Sequence, residues 1–152
     1  MTLKEKISAD LTAAMKSGEK LRLETLRTLR AALMEREIEK RGGSGPMTAE
    51  DEVSVLMSAA KKRKESIESF LQGGRQDLVD QEKKELEIIQ EYLPKQLTAE
   101  EVAGVITAVI ASTGATAASD FGRVMPLVMK ELKGKADGRL IQELVKKSLG
   151  MA

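Results

Sequence analysis

The chain has 152 residues, of which 32% are charged and 41% hydrophobic, and its 25 basic and 24 acidic residues give a formal net charge of +1. It contains no His, Cys or Trp, which excludes disulfide frameworks, thiol nucleophiles, His-based triads and ordinary zinc sites. The length suits one domain or two small ones, and one Tyr and two Phe leave the core to aliphatic side chains. A net charge near zero argues against a uniformly basic surface but leaves local patches open.

The N-terminal segment has no apolar run of the kind found in signal peptides. No stretch approaches the ~20 apolar residues that a membrane-spanning helix needs. The absence of Cys fits a reducing compartment. We therefore expect a cytoplasmic protein without a membrane partner.

Seven segments repeat apolar residues at the spacing of an amphipathic helix, and strict alternation over the length of a strand is absent. The first segment ends at Gly18, a typical helix C-cap, and Thr48 and Thr98 open the third and fifth in sequences that approximate capping boxes. We place Met15, Ile38 and Leu71 on the core stripes of the first three helices. The pattern predicts an all-α fold.

Two breaks organise the predicted helices. Residues 42–46 (GGSGP) form a flexible joint, because Gly-rich sequence has few steric limits and Pro cannot continue a helix. Pro94 ends the fourth helical pattern, which runs over about 76–93. We therefore expect an N-terminal domain of two helical hairpins over 1–93 and a compact three-helix tail domain over 94–152.

Two local features give sharper expectations. Lys64 and Glu82 fall on facing apolar stripes if the chain folds back at residues 73–74, which predicts either a half-buried ion pair or a Lys64 side chain that extends to solvent. Pro126 falls inside the sixth helical pattern, where it removes a hydrogen bond and clashes with the preceding turn. We expect a kink or break near Met125.

Basic residues concentrate in two places. The tail carries the candidate nucleic-acid-binding residues Lys130, Lys133, Lys135, Arg139, Lys146 and Lys147. A secondary run consists of Lys61, Lys62, Arg63 and Lys64, but four successive residues point around a helix, so a solvated face is the favoured interpretation there. The loop over 133–138 could hold a phosphate on its backbone N–H groups and lysines, or Asp137 could serve as the N-cap of the last helix.

Several short motifs resemble the YqeY family of small bacterial proteins. They are residues 62–67 (KRKESI), 73–80 (GGRQDLVD), 85–89 (ELEII), 91–97 (EYLPKQL), 122–125 (GRVM), 128–130 (VMK) and 133–138 (KGKADG). The tail over about 94–150 is also similar to the C-terminal domain of GatB, the tRNA-recognising subunit of the glutamine-dependent amidotransferase that acts on misacylated tRNA.

The resemblance implies an all-helical protein whose tail contacts tRNA, with Lys130, Lys133 and Lys135 available for phosphate and Gly134 and Ala136 serving the turn and packing. The catalytic and ATP-binding portion of GatB has no counterpart here, so we expect no catalytic residue, metal or cofactor and no small-molecule substrate. The leading hypothesis is a non-catalytic accessory protein for tRNA or a tRNA-handling enzyme. The alternatives are a helical protein–protein adaptor without RNA contact and an amide-transfer enzyme.

Overall fold

The computed structural model describes residues 1–43 and 45–151, and within them the chain is all-α, as the apolar period predicts. The described residues form seven α-helices, one turn of 3-10 helix at Ala118–Asp120 and no strand. The helices are α1 (Leu3–Ser17), α2 (Lys20–Arg41), α3 (Ala49–Gln72), α4 (Gln76–Gln90), α5 (Ala99–Thr113), α6 (Phe121–Leu132) and α7 (Gly138–Ser148). Ser44, part of the predicted 42–46 joint, lies outside the described residues.

Local hydrogen bonds explain where several helices begin and end. Thr2, Thr48 and Thr98 each form a capping box, in which the Thr hydroxyl accepts from the third backbone N–H of the helix and the acidic side chain at that position accepts from the Thr N–H. Gly18 and Gly114 end α1 and α5 with φ of +76° and +70°, a conformation that costs other L-residues energy. The boxes at Thr48 and Thr98 are confirmed.

The chain divides into two compact units, Met1–Leu93 and Pro94–Ala152. In the first unit, α1 packs on α2, α3 packs on α4, and the two hairpins enclose an aliphatic core. Three residues that we placed on core stripes are instead exposed: Met15 by 54%, Ile38 by 64% and Leu71 by 53%. Ile38 follows the buried Leu33 by five residues, which places it about 140° away around the helix.

In the second unit, α5, α6 and α7 pack around a core of their own. Helix α6 continues through Pro126, so the break expected near Met125 is wrong, whereas a kink there stays a prediction. Pro126 and Gly122 are both exposed and one turn apart on the same face. The Gly122 carbonyl that loses its intrahelical donor therefore faces water, which can hydrate it.

No single helix among the described residues is long and apolar enough to cross a membrane. One bent pair passes that test by length and composition together, Ala99–Thr113 with Ala118–Leu132, and the two parts meet at 94°.

Candidate nucleic-acid interface

The loop between α6 and α7 alternates outward and inward side chains. Lys133 and Lys135 are exposed, whereas Gly134 and Ala136 are buried. Gly134 has a φ of +76°, which suits glycine at a tight turn. Gly134 and Ala136 thus serve the turn and the packing, as the resemblance implies, and the alternation directs both lysines to solvent.

Hydrogen bonds from the segment before α5 hold this loop in place. The Leu97 backbone N–H donates to the Lys135 carbonyl at 2.9 Å, and the Gln96 Nε2 donates to the Gly134 carbonyl at 2.8 Å. The Lys135 N–H in turn donates to the Leu132 carbonyl at 2.9 Å. With the loop backbone fixed on both sides, a ligand that binds the lysines orders only their side chains, which reduces the entropy cost of binding.

The structure separates the six predicted tail residues into two groups. Lys130, Lys133, Lys135 and Arg139 lie at the end where α6 joins α7, and we call these four residues the hairpin-end group. Lys146 and Lys147 lie in the last turn of α7, about 12 Å along the helix from Arg139. The Lys146 ammonium stands 6.0 Å from the centroid of the Phe121 ring, where α6 begins.

The members of the hairpin-end group differ in their partners. Lys130 and Lys135 are exposed and form no ion pair with a described residue. Arg139 lies 3.5 Å from Glu143 one turn along α7, and both side chains are largely exposed. An exposed pair of this kind is worth little, so Arg139 can exchange Glu143 for another anion.

Asp137 occupies the N-cap of α7. Its Oδ1 accepts from the Arg139 backbone N–H at 3.1 Å, which confirms the capping interpretation. A carboxylate therefore sits where an anion would meet the helix N-terminus. Phosphate contacts at this end of the hairpin would have to come from the basic side chains.

The secondary basic run on α3 is a solvated face apart from one residue. Lys61, Lys62 and Lys64 are exposed, and Arg63 is the half-buried member. The Arg63 Nη1 lies 3.1 Å from the Glu82 Oε2 and 2.9 Å from the Glu85 Oε2. Of the two alternatives for Lys64, the ion pair with Glu82 is therefore wrong, and the exposed side chain is the one that the structure shows.

The spacing of the buried positions on α3 explains why Arg63, and not Lys64, contacts Glu82. Buried and half-buried positions follow one another at Leu56, Ala60, Arg63 and Ile67, in steps of four, three and four. This alternation keeps one face against a neighbouring helix, and it passes through Arg63 instead of Lys64. Burial raises the pKa of Glu85; Arg63 opposes that rise and the Glu82 charge adds to it.

One cationic surface was not anticipated from the sequence. Arg27, Arg30, Met34, Ile38 and Arg41 follow one another along α2 in steps of three or four, and all five are exposed. These five residues are called the α2 outer face below. Its signal was present in the sequence, because Ile38 is out of phase with Leu33 and in phase with Met34.

The described residues hold no group of three or more acidic side chains arranged to bind a metal ion. The described residues thus define a two-unit, all-helical protein.

The chain belongs to the YqeY family: the family model, described as Yqey-like protein, matches residues 4–149. Among curated proteins, it is 38% identical over 88 residues to "Altered inheritance of mitochondria protein 41, mitochondrial" of Lachancea thermotolerans, covering 57% of this chain and 46% of that protein. The Pyrenophora tritici-repentis protein of the same name is 28% identical over 149 residues, covering 95% of this chain and 80% of that protein. An uncharacterized Schizosaccharomyces pombe protein is 32% identical, covering 59% of this chain and 70% of that protein.

The matches to the Lachancea thermotolerans and Eremothecium gossypii relatives span about half of those proteins, 46% in each case. Three relatives carry mitochondrial names, so the cytoplasmic location expected for this chain stays a prediction. The family and its relatives support an accessory protein, and the relatives' names state no reaction or ligand.

Proposed function

We propose that the tail unit binds the phosphate backbone of folded RNA, most specifically tRNA, and that the protein is an accessory factor for tRNA or a tRNA-handling enzyme. The observation that supports this most directly is the hairpin-end group. Its four basic side chains lie within ten residues. Lys133 and Lys135 are on the loop between α6 and α7, whose backbone is held by Gln96 and Leu97, and Lys130 and Arg139 are on the adjoining helices. The similarity of the tail to the tRNA-contacting domain of GatB points to the same ligand.

The chemistry of the group favours backbone recognition over base recognition. Proteins that bind unpaired bases without sequence preference stack them on aromatic rings, and the chain has one Tyr and two Phe. Tyr92 is buried in the first unit and Phe121 is half-buried under Lys146. Lysines on a fixed loop instead suit the phosphates and overall shape of a structured RNA.

The test is a titration of labelled tRNA at several salt concentrations, with wild type and with Lys133→Ala plus Lys135→Ala. The binding constant K falls as salt rises, and each lost phosphate contact reduces the steepness of log K against log salt by up to about 0.9. We expect the double variant to bind more weakly and with a slope reduced by about 1–2. Both side chains are exposed, so circular dichroism should show an unchanged fold.

Lys61→Ala plus Lys62→Ala is the matched control, because it removes two exposed lysines from α3. It should leave the tRNA affinity near that of wild type. Absence of binding at low salt, or equal binding by wild type and the tail variant, would contradict the proposal. A nuclease-insensitive complex with a single stoichiometric protein would favour an adaptor instead.

A further inference from the structure

The two arginines at the centre of this inference differ from every other arginine in the chain. Seven of the nine arginines form an ion pair with a described carboxylate. Arg27 and Arg30 are exposed and form none within 1–43 and 45–151. They lie one turn apart on the same side of α2, so their charges add at one place on the surface.

Exposed apolar side chains continue the same face. Met34 is 42% exposed and Ile38 is 64% exposed, and each follows its predecessor on the face by one turn. On a regular helix, Arg27, Arg30, Met34, Ile38 and Arg41 fall within an arc of about 80° and extend for about 21 Å. The opposite side of α2 is already used, because Leu26, Leu29 and Leu33 pack into the core.

The sequence of charges along α2 argues against a second copy of this chain as the partner that covers the α2 outer face. In a symmetric antiparallel pairing of two α2 helices about Met34, Arg27 of each copy would face Arg41 of the other, and Arg30 would face Ile38. This arrangement brings cations toward cations, and Arg41 already uses Glu37, 3.3 Å away, as its partner. Like charges placed opposite each other suppress that pairing.

The same face is poorly suited to RNA. Met34 and Ile38 gain nothing from contact with a phosphate backbone, whereas apolar side chains of another protein would remove them from water. Arg and Met are also enriched in protein–protein interfaces.

We infer that the α2 outer face is a docking surface for an α-helix of a partner protein, with acidic side chains opposite Arg27 and Arg30 and aliphatic side chains opposite Met34 and Ile38. The contact is a helix–helix packing in which the arginine charges set the register and the aliphatic pair supplies the apolar burial. This inference concerns the first unit and does not depend on RNA binding by the tail.

The probe is a capped, fluorescein-labelled helical peptide of 18 residues with an alanine background, two Glu spaced three apart and two Leu spaced four apart on the same face. A second peptide with the reversed residue order covers the opposite helix polarity. Fluorescence anisotropy should show binding of one of the two to the full chain. Arg27→Glu plus Arg30→Glu should weaken it by about tenfold or more, and Ile38→Asn should weaken it as well.

Charge exchange makes the test specific. A peptide with Lys in place of Glu should bind the Arg27→Glu plus Arg30→Glu variant better than it binds wild type. Lys83→Glu plus Lys84→Glu, an equal change of charge at exposed positions of α4, is the control and should leave the peptide affinity unchanged. Amide spectra of each variant verify the fold, which should persist because Arg27 and Arg30 have no described ion-pair partner to lose.

Three outcomes would overturn the inference. The first is that neither peptide binds the wild-type chain. The second is that either peptide binds wild type and the Arg27→Glu plus Arg30→Glu variant equally well. The third is that this variant loses affinity for tRNA or for phosphatidylcholine vesicles containing phosphatidylserine while it keeps its affinity for the peptide, which would assign the face to a polyanion.

Discussion

The charge cluster between α3 and α4 predicts a pH-dependent loss of stability when its one cation is removed. Arg63 stands between two carboxylates, and the side chains of Arg63, Glu82 and Glu85 are 26%, 14% and 12% exposed. The Glu85 Oε2 accepts no hydrogen bond from a described residue, although the Arg63 Nη1 lies 2.9 Å away. In Arg63→Met the aliphatic stem is kept, and both carboxylates lose their counter-ion.

The expected loss of stability in Arg63→Met follows from the partial burial of the three charged side chains. Removing one partner of a fully buried ion pair costs about 3–5 kcal/mol, because the remaining charge is left uncompensated. All three side chains here keep some contact with water, so we expect Arg63→Met to lower the free energy of unfolding by about 2–3 kcal/mol at pH 7.5. Adding Glu85→Gln to Arg63→Met removes one of the two carboxylates that have lost their counter-ion. The double variant should therefore recover part of the lost unfolding free energy.

The direction of the pH effect follows from the raised pKa of Glu85. A carboxyl group whose pKa is higher in the folded state favours folding when protonated, and that contribution is lost as pH rises through the folded-state pKa. Arg63 lowers the pKa of Glu85, so its removal raises this pKa further. The destabilisation by Arg63→Met, measured against wild type, should therefore shrink from pH 7.5 to pH 5.

Urea unfolding followed by tyrosine fluorescence is the assay. Tyr92 is the single Tyr of the chain and is buried in the first unit, so its signal reports on that unit. Arg75→Met is the matched control; Arg75 pairs with Asp77 at 3.1 Å in an exposed setting, and the urea midpoint should barely move. Equal destabilisation at pH 7.5 and pH 5, or no recovery when Glu85→Gln is added, would refute the reasoning.

Four further predictions concern three single positions. The Tyr92 hydroxyl donates to Asp10 at 2.6 Å, so Tyr92→Phe should cost about 1–2 kcal/mol by circular dichroism. Burial and Asp10 raise the pKa of Tyr92, so absorbance of the folded chain should show no phenolate near pH 10, and a normal titration curve would contradict this. Pro126→Ala restores the donor to the Gly122 carbonyl and should stabilise the tail by about 1–3 kcal/mol; a lower melting temperature would contradict that expectation. Gly134→Ala places a Cβ on a buried residue with φ +76° and should destabilise the chain by about 1–2 kcal/mol; an unchanged melting temperature would contradict this expectation.

The features that sequence predicts best here are those set by near neighbours in the chain. A capping box needs only four residues, so Thr48 and Thr98 could be assigned as helix starts before any packing was known. The N-cap role of Asp137 also depends only on neighbouring residues, so the sequence offers it as one of two interpretations of the 133–138 loop. The structure shows Asp137 as the N-cap of α7. The apolar period likewise gives the helices, because each stripe is repeated several times within one segment.

Predictions that depend on a second helix were less accurate. Lys64 and Arg63 differ by one position, and only the packing of α3 against α4 decides which of them meets Glu82. Closeness in sequence groups the six tail cations into one candidate site. The turn between α6 and α7 places Lys146 beside Phe121 instead, at the other end of α7 from the hairpin-end group.

The near-neutral net charge is compatible with two basic surfaces because many carboxylates are engaged within the first unit. Glu37 binds Lys4 and Arg41, and Asp51 binds Lys40 at 2.8 Å. Arg27 and Arg30 on the α2 outer face, and Lys130 and Lys135 in the hairpin-end group, form no ion pair with a described residue. The two surfaces should respond differently to salt: phosphate binding releases counter-ions and weakens steeply, whereas docking on Met34 and Ile38 keeps its apolar contribution. Raising salt should therefore abolish tRNA binding before it abolishes binding of the acidic peptide, and a reversed order would contradict the separate assignment of the two surfaces.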